Sequence, residues 1–221
     1  MTNDWLLWQL LDSAFPMGGF AHSGGLEAAW QWGQLGNADR LEGFLQASLS
    51  QVGHGALLFV MAVYRQPACF AEMDGQCQAF LSNHVANRAS RIQGQSLLAS
   101  AKSTFRSDDL VRLREIVLTE RLPGHLAPVF GAVTRGLNLA PWQAARSFLF
   151  TTLRGSISSA VRLGAVGSLQ GQAMQHRLGP YVESVVRRCI ELPISDIATT
   201  APHIDLFQGT HDRLYSRLFQ S

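Results

Sequence analysis

Apolar residues recur at intervals of three and four along most of the chain, which is the spacing of one face of an α-helix. In the segment YVESVVRRCIEL, the charged residues Glu183, Arg187 and Arg188 fall away from a single apolar stripe. The stripe is formed by Val182, Val185, Val186, Cys189 and Ile190. Sustained two-residue alternation, which is typical of half-buried strands, is almost absent. The pattern therefore predicts a helical protein.

Residues that favour helix starts precede several of these segments. Asn37 and Asp39 are candidate N-caps for NADRLEGFLQASLSQV, and Ser107 opens SDDLVRLREIVL. Pro141 suits the first turn of PWQAARSFLFTTLRGSISSAVRL. Because this segment is long and mostly apolar, we expect it at the centre of the bundle.

Helix breaks are predicted where glycine and proline cluster. These positions are 16–19, 36, 66–67, 123–124, 136–141, 179–180 and 193–202. We find no repeat, low-complexity tract or long linker. We therefore predict one all-α domain over residues 1–221, a helical bundle of roughly eight to ten helices.

The composition limits the classes of protein that fit. With 221 residues, of which 47% are hydrophobic, the chain can bury one sizeable core. Only 15% of residues are charged, against a usual quarter. Either a partner covers part of the surface, or the chain is a compact monomer with a surface rich in Ser, Gln and Asn.

Charge and cysteine content favour a cytoplasmic protein without nucleic-acid or membrane partners. The net charge is +2 with no dense Lys/Arg run, and the three cysteines form no CxxC pair. No Lys or Arg precedes Arg40, unlike the start of a signal peptide. The longest apolar run, residues 55–64, is too short to span a bilayer.

The glycine-rich stretch FPMGGFAHSGG, residues 15–25, raises the possibility of catalysis. It is not a Walker phosphate loop, because the only lysine, Lys102, lies far away without the required glycines. AHSGG resembles a nucleophile elbow, but Ala21 replaces the first glycine and the preceding segment predicts a helix instead of a strand. A serine hydrolase using Ser23 stays only as an alternative.

The histidines and arginines give weaker signals. His203 and His211 bracket Asp205 and could join a weak metal site, although polar contacts in a terminal segment are the favoured interpretation. We expect no metal and no cofactor. Arg154, Ser158 and Arg162 form an i, i+4, i+8 ridge on an apolar helix. We favour structural arginines that extend their charge to solvent or bind helix C-termini over contacts with a partner or with carbonyls of a neighbouring loop.

Five blocks of sequence, in order, resemble the UreF family of urease accessory proteins. The first block, LLWQLLDSAFPMGGFAHSGGLEAA, is similar to the family's N-terminal signature. The others are ANRASRIQGQSLL, HLAPVFGAVTRGLNL, SISSAVRLGAVGSLQGQ and HIDLFQGTHDRLYSRLFQS. Together they extend over nearly the whole chain.

The resemblance implies an all-α, non-enzymatic chaperone subunit with no catalytic residue. Such proteins dimerise and bind UreD (also called UreH), and the pair recruits the GTPase UreG, which delivers nickel to apo-urease. GTP hydrolysis would then belong to UreG. The alternative without the resemblance is a helical adaptor with no role in urease maturation.

The resemblance also implies that residues 1–25 and 203–221 bind partners. The candidate partner-binding residues are Pro16, Gly18, Gly19, Phe20, His22, Ser23, His211, Tyr215, Arg217, Leu218 and Phe219. The candidate structural residues are Gly24, Glu27, Arg154, Ser158 and Arg162.

For the N-terminal loop, we expect Pro16, Gly18 and Gly19 to set the backbone, with positive φ where glycine allows it. Phe20 is expected to anchor the next helix, and Ser23 to cap that helix or bond locally. Glu27 lies early in that helix, where the helix dipole favours a negative charge.

For the C-terminus, Leu214, Leu218 and Tyr215 have helical spacing. Because chain ends usually fray, we expect residues 217–219 to become ordered when UreD or UreG binds. By resemblance, Arg217 is the residue that recruits the GTPase.

Overall fold

Helices make up most of residues 3–221, the part of the chain that this computed structural model describes. The α-helices are α1 (Asn3–Leu11), α2 (Leu26–Gln31), α3 (Ala38–His54), α4 (Ala56–Arg65), α5 (Phe70–Phe80), α6 (His84–Phe105), α7 (Asp108–Thr119), α8 (Leu126–Gly136), α9 (Pro141–Arg162), α10 (Ser168–Cys189) and α11 (Pro202–Gly209). Short 3₁₀ turns lie at Gly19–Ala21, Pro67–Cys69, Ile194–Asp196 and His211–Arg213. α3 and α4 meet at Gly55, so the pair can also be counted as one bent helix. Within these residues there is no strand, and the predicted all-α bundle is confirmed.

The core is centred on α4, α8 and α9. Nearly every side chain of α4 is buried, and α9 packs against α2, α3, α4, α8 and α10. The central position expected for the segment that begins at Pro141 is therefore confirmed. α8 lies directly on α4, because a β-carbon at Gly131 would sit 2.3 Å from the carbonyl oxygen of Val60. Only glycine allows this approach.

Most local signals in the sequence match the helix ends. Asn37 caps α3 by accepting the backbone N–H of Arg40 at 2.9 Å, and Pro141 opens α9. The five apolar residues of the predicted α10 stripe are all buried. The break expected at residues 179–180 is wrong, because α10 continues through Pro180. Leu178 and Val182 are buried on either side of the proline, so packing keeps the helix continuous.

One segment within residues 3–221, Ala38–Arg65, is long and apolar enough to cross a membrane by length and composition alone. Two features account for this without a membrane. The segment bends at Gly55, and 56% of its most apolar stretch is buried inside the fold. Its apolar side chains, including Leu41, Leu45 and Phe59, belong to the core.

The two ends of the chain meet. α2 packs against α11, and the loop that precedes α2 contacts α9. We call residues 12–25 the N-terminal loop, residues 214–221 the tail, and the region where they meet the junction. The helical continuation suggested by Leu214, Tyr215 and Leu218 is wrong, because the tail has no regular helix after the turn at His211–Arg213. The tail instead forms hydrogen bonds with the N-terminal loop and α2.

Candidate partner-binding site at the junction

Backbone hydrogen bonds tie the tail to the N-terminal loop. The N–H of Ser23 donates to the carbonyl of Ser221 at 2.5 Å, and the N–H of Gln220 donates to the carbonyl of Ala21 at 2.8 Å. The side-chain amide of Gln31 in α2 adds a hydrogen bond to the carbonyl of Ser216 at 2.9 Å. The last residues are thus fixed at several points, in the manner of a short strand pairing.

Glu27 holds the tail from beneath. Its carboxylate is buried and accepts the backbone N–H groups of Leu218 at 2.6 Å and Phe219 at 3.2 Å. His211 is also buried, and its Nε2 donates to the carbonyl of Phe219 at 3.2 Å. Nδ1 of His211 lies 3.7 Å from Oε2 of Glu27. Glu27 therefore does more than favour the N-terminus of α2, since it also joins α2 to the tail.

Arg162, at the end of α9, is stacked between two aromatic rings. Its guanidinium carbon lies 3.8 Å from the ring centre of Phe20 and 4.2 Å from that of Phe219. Nη1 also donates to the carbonyl of Phe20 at 2.5 Å. Arg162 thus couples the N-terminal loop to the tail by cation–π stacking and by a charged hydrogen bond.

Arg154, two turns earlier on α9, donates to the carbonyl of Leu11 at the end of α1. Burial lowers the pKa of Arg154, and nearby Asp12 partly opposes this effect. Ser158 lies between the two arginines and lines a cavity of about 540 Å³ under the N-terminal loop. The favoured interpretation is therefore confirmed for Arg154, which binds a helix C-terminus, and is wrong for Arg162, which binds a loop carbonyl.

The glycines of the N-terminal loop have different roles. Gly18, Gly24 and Gly25 have φ values of 73°, 61° and 86°, which L side chains rarely adopt. Gly19 is not among the positive-φ residues and instead starts a 3₁₀ turn, so that part of the prediction is wrong. A β-carbon on Gly25 would lie 3.0 Å from the backbone nitrogen of Gln208, so Gly25 also lets α11 approach.

Pro16 and Phe20 shape the outer part of the loop. The carbonyl of Pro16 accepts a hydrogen bond from the Ser100 hydroxyl of α6 at 3.0 Å. Phe20 was expected to anchor α2, but 69% of its surface is exposed and it rests on Arg162. That expectation is wrong, because the short turn at Gly19–Ala21 directs the ring outward.

His22 and Ser23 are interior residues. Nδ1 of His22 shares a hydrogen bond with the hydroxyl of Ser221. Burial, followed by the charges of Arg88 and His211, lowers the pKa of His22 to about 4, so its imidazole is neutral at physiological pH. Nε2 of His22 and Oγ of Ser23 have no hydrogen-bond partner among the described residues.

The position of Ser23 bears on two expectations. Local bonding by its hydroxyl is wrong, because the backbone N–H, and not Oγ, makes its contact with the tail. A nucleophilic serine needs a base within hydrogen-bond reach. Oγ of Ser23 is buried without such a partner in residues 3–221, so the hydrolase alternative lacks the required geometry.

Four of the predicted partner-binding residues place large exposed side chains on the outer surface of the junction. Phe20, Tyr215, Arg217 and Leu218 are exposed, with Tyr215 fully so. His22, Ser23, His211 and Phe219 are buried beneath them and support that surface in this conformation. The expectation that residues 217–219 are unordered without a partner is wrong. Glu27 binds Leu218 and Phe219, and Asp212 pairs with Arg217.

Asp212 is a contact residue that the sequence did not reveal. Its carboxylate binds Arg88 at 2.9 and 3.2 Å, His84 at 3.3 Å and Arg217 at 3.4 Å. These partners, first of all the hydrogen bonds from Arg88, lower the pKa of Asp212. Arg88 and Asp212 are 124 positions apart, and no motif links them.

The weak metal hypothesis for the C-terminal histidines gains no support from the geometry. His211 is buried against Glu27 and Phe219, whereas His203 lies edge-on to the ring of Phe207 at 6.5 Å. Across residues 3–221, no group of three or more His, Cys, Asp or Glu side chains could hold a metal ion.

Comparison with known proteins gives one consistent family. The family model of UreF matches residues 35–179. Urease accessory protein F of Arabidopsis thaliana is 37% identical over 221 residues, which cover 98% of this chain and 92% of that protein. Urease accessory protein F of Oryza sativa subsp. indica is 36% identical over 97% of this chain and 84% of its own length. Urease accessory protein UreF of Arthrobacter sp. (strain FB24) is 29% identical over 97% of this chain and 96% of its own.

Proposed function

The chain belongs to the UreF family of urease accessory proteins, and we propose that it is the scaffold that binds UreD (UreH) and recruits the GTPase UreG for nickel insertion into apo-urease. Family membership itself assigns the protein to urease maturation, as a helper alongside other maturation components. The finer assignment, with its named partners, is our proposal. We place this activity in the cytoplasm, without catalysis or a cofactor in this chain.

The observation that carries the proposal is the exposed surface of the junction. Tyr215 and Leu218 lie within two residues of Arg217 in the tail, and together with Phe20 of the N-terminal loop they expose aromatic and aliphatic area. Aromatic and arginine side chains dominate the binding energy of protein interfaces. Because Glu27 and Arg162 already fix this surface, a partner does not have to order it.

The test is assembly with the UreD and UreG proteins of the same genome. Co-expression followed by size-exclusion chromatography with light scattering should give one complex that contains all three proteins. Arg217→Ala should lose UreG and keep UreD. Arg213→Ala is the matched control, because Arg213 is an exposed arginine four residues away, and it should keep both.

Arg217→Ala tests the exposed surface more specifically than deletion of RLFQS, residues 217–221, would. The deletion also removes Phe219 and Ser221, which hold the junction together, so a loss of binding would not report on the surface alone. A wild-type chain that binds neither UreD nor UreG would contradict the scaffold function. The interpretation as a helical adaptor without a role in urease maturation would then remain. An Arg217→Ala chain that still forms the full complex would contradict the role of Arg217.

We further propose that α1 mediates a homodimer. Trp5 and Trp8 expose 64% and 60% of their surface, and their ring centres lie 5.4 Å apart. Two neighbouring exposed tryptophans on one helix are an unusual solvent-facing pair and a typical interface anchor. Trp5→Glu with Trp8→Glu should convert a dimer into a monomer by light scattering. Trp32→Glu, at another exposed tryptophan, should leave the dimer intact.

A further inference from the structure

A groove of about 770 Å³ follows the face of α6 next to the junction. His84, Arg88, Arg91, Ile92 and Gln95 line its α6 side. His84, Arg88, Arg91 and Gln95 follow one another at intervals of three or four residues, and Ile92 lies four residues after Arg88, so the five share one helix face. None of the described residues that line the groove is Asp or Glu, so the groove is basic.

The positive charge of this groove is only partly neutralised within the chain. The carboxylate of Asp212 holds Arg88 and is shared with His84 and Arg217. Arg91 is exposed and has no ion pair within 4 Å among residues 3–221.

The carboxylate that Arg91 influences electrostatically, that of Asp74, already accepts two hydrogen bonds within the chain. Arg91 lies close enough to lower the pKa of Asp74, although burial, the larger effect, raises that pKa overall. Asp74 is fully buried, and its two oxygens accept the backbone N–H groups of Gly124 at 2.8 Å and His125 at 2.7 Å. The guanidinium of Arg91 is therefore free to meet a carboxylate from outside.

An apolar side chain lies among these charges. Ile92 exposes 43% of its surface between Arg88 on one side and Gln95 on the other. An apolar residue next to arginines is typical of a protein interface, where apolar contact and charge pairing act together. Two arginines are too few to follow a nucleic-acid backbone, which is held by many phosphate contacts.

We propose that this groove binds an acidic segment of a partner protein. In that arrangement a partner carboxylate pairs with Arg91, and an apolar partner side chain packs on Ile92. The groove is continuous with the outer surface of the junction, because Asp212 contacts both Arg88 in the groove and Arg217 on the tail. The inference rests on the proposed function, since the partner belongs to the same maturation complex.

The test compares Arg91→Glu with Arg187→Glu. Both change an exposed arginine to the same acid, but Arg187 lies on α10 and does not line the groove. Neither substitution removes the Arg88–Asp212 pair. The dissociation constant of the full chain for the purified UreD–UreG partners is measured at 50 and 300 mM NaCl.

We expect Arg91→Glu to weaken binding at least about tenfold at low salt and less at high salt, because exposed charges are screened. Arg187→Glu should remain within about twofold of the wild type. If the wild-type chain binds its partners and the two variants change the dissociation constant equally, the proposal that the groove binds an acidic segment is contradicted. The proposed function would then still stand. If Arg91→Glu shows no cooperative thermal unfolding and is therefore not folded, the binding measurement is made with Arg91→Gln instead.

A second probe tests the groove without the maturation partners. The anisotropy of a fluorescein-labelled octaglutamate peptide should rise with the wild-type chain and with Arg187→Glu, but not with Arg91→Glu. A wild-type chain that binds octaglutamate but neither UreD nor UreG would refute the proposed function alone. A labelled single-stranded oligonucleotide that binds tighter than octaglutamate, and is lost with Arg91→Glu, would overturn the assignment to an acidic protein segment.

Discussion

The carboxylate of Glu27 accepts the backbone N–H of Leu218 at 2.6 Å, across 191 positions of the chain. A second oxygen accepts the N–H of Phe219 at 3.2 Å, and the side chain of Glu27 is buried. A buried carboxylate without partners is costly, and a buried N–H without an acceptor is also costly. The two groups therefore hold each other in place, and the junction closes around them.

Glu27→Ala should release the tail. Two backbone N–H groups lose their acceptor, and each unsatisfied group costs about 1–3 kcal/mol if it stays buried. We expect a lower unfolding temperature and faster amide hydrogen exchange in residues 217–221. Glu42→Ala is the control, since Glu42 forms an exposed ion pair with Arg177 at 2.9 Å that contributes little. Unchanged exchange in the tail of Glu27→Ala would contradict this role.

Gly25→Ala should cost more than Gly24→Ala. Both glycines have positive φ, so each substitution carries a similar backbone strain of roughly 1 kcal/mol or more. Only at Gly25 would the new β-carbon meet backbone atoms, namely the nitrogen of Gln208 at 3.0 Å and the carbonyl oxygen of Ile204 at 3.1 Å. Urea unfolding of the two variants isolates this contact. Equal midpoints would show that α11 shifts freely.

Two adjacent apolar residues of the tail, Leu218 and Phe219, differ in burial. Phe219 is 5% exposed and stacks on Arg162, whereas Leu218 is 51% exposed. Phe219→Ala should destabilise the fold by about 3 kcal/mol, because it leaves a cavity. Leu218→Ala should leave the unfolding free energy within about 0.5 kcal/mol and instead weaken partner binding. The opposite order of stabilities would show that Phe219 is not part of the folded core.

Stability should fall as the pH decreases from about 6.5 towards 4. Burial lowers the pKa of both His22 and His125 to about 4, from a usual value of 6.5. The unfolded chain therefore binds more protons in this window, and each histidine can remove up to about 3 kcal/mol. Burial raises the pKa values of Asp74 and Asp205, which opposes the loss at the acidic end.

Urea unfolding at pH 7.5, 6.0 and 5.0 measures this dependence. His22→Gln should reduce the slope by about half, since one of the two buried neutral histidines is removed. His176→Gln, at an exposed histidine, should leave the slope unchanged. A wild-type free energy of unfolding that is flat from pH 7.5 to 5.0 would mean that neither imidazole is buried in its neutral form.

The sequence by itself determined the helices, since helix periodicity and end signals are local. The stripe from Val182 to Ile190, the cap at Asn37 and the start at Pro141 each depend on residues within a few turns. The break expected at Pro180 failed because burial of Leu178 and Val182 outweighed a local preference. Ordered blocks of sequence also determined the family.

Only the tertiary structure decided how the two ends of the chain meet. Glu27 with Phe219, Arg88 with Asp212, and Arg162 with both Phe20 and Phe219 are pairs far apart in sequence. Their geometry depends on how α2, α6, α9 and the tail pack together, and no spacing along the chain encodes it. The family resemblance in the sequence predicts that both terminal segments bind partners. The fold determined that Phe20, Tyr215, Arg217 and Leu218 lie on the outer surface, whereas His22, Ser23, His211 and Phe219 lie inside.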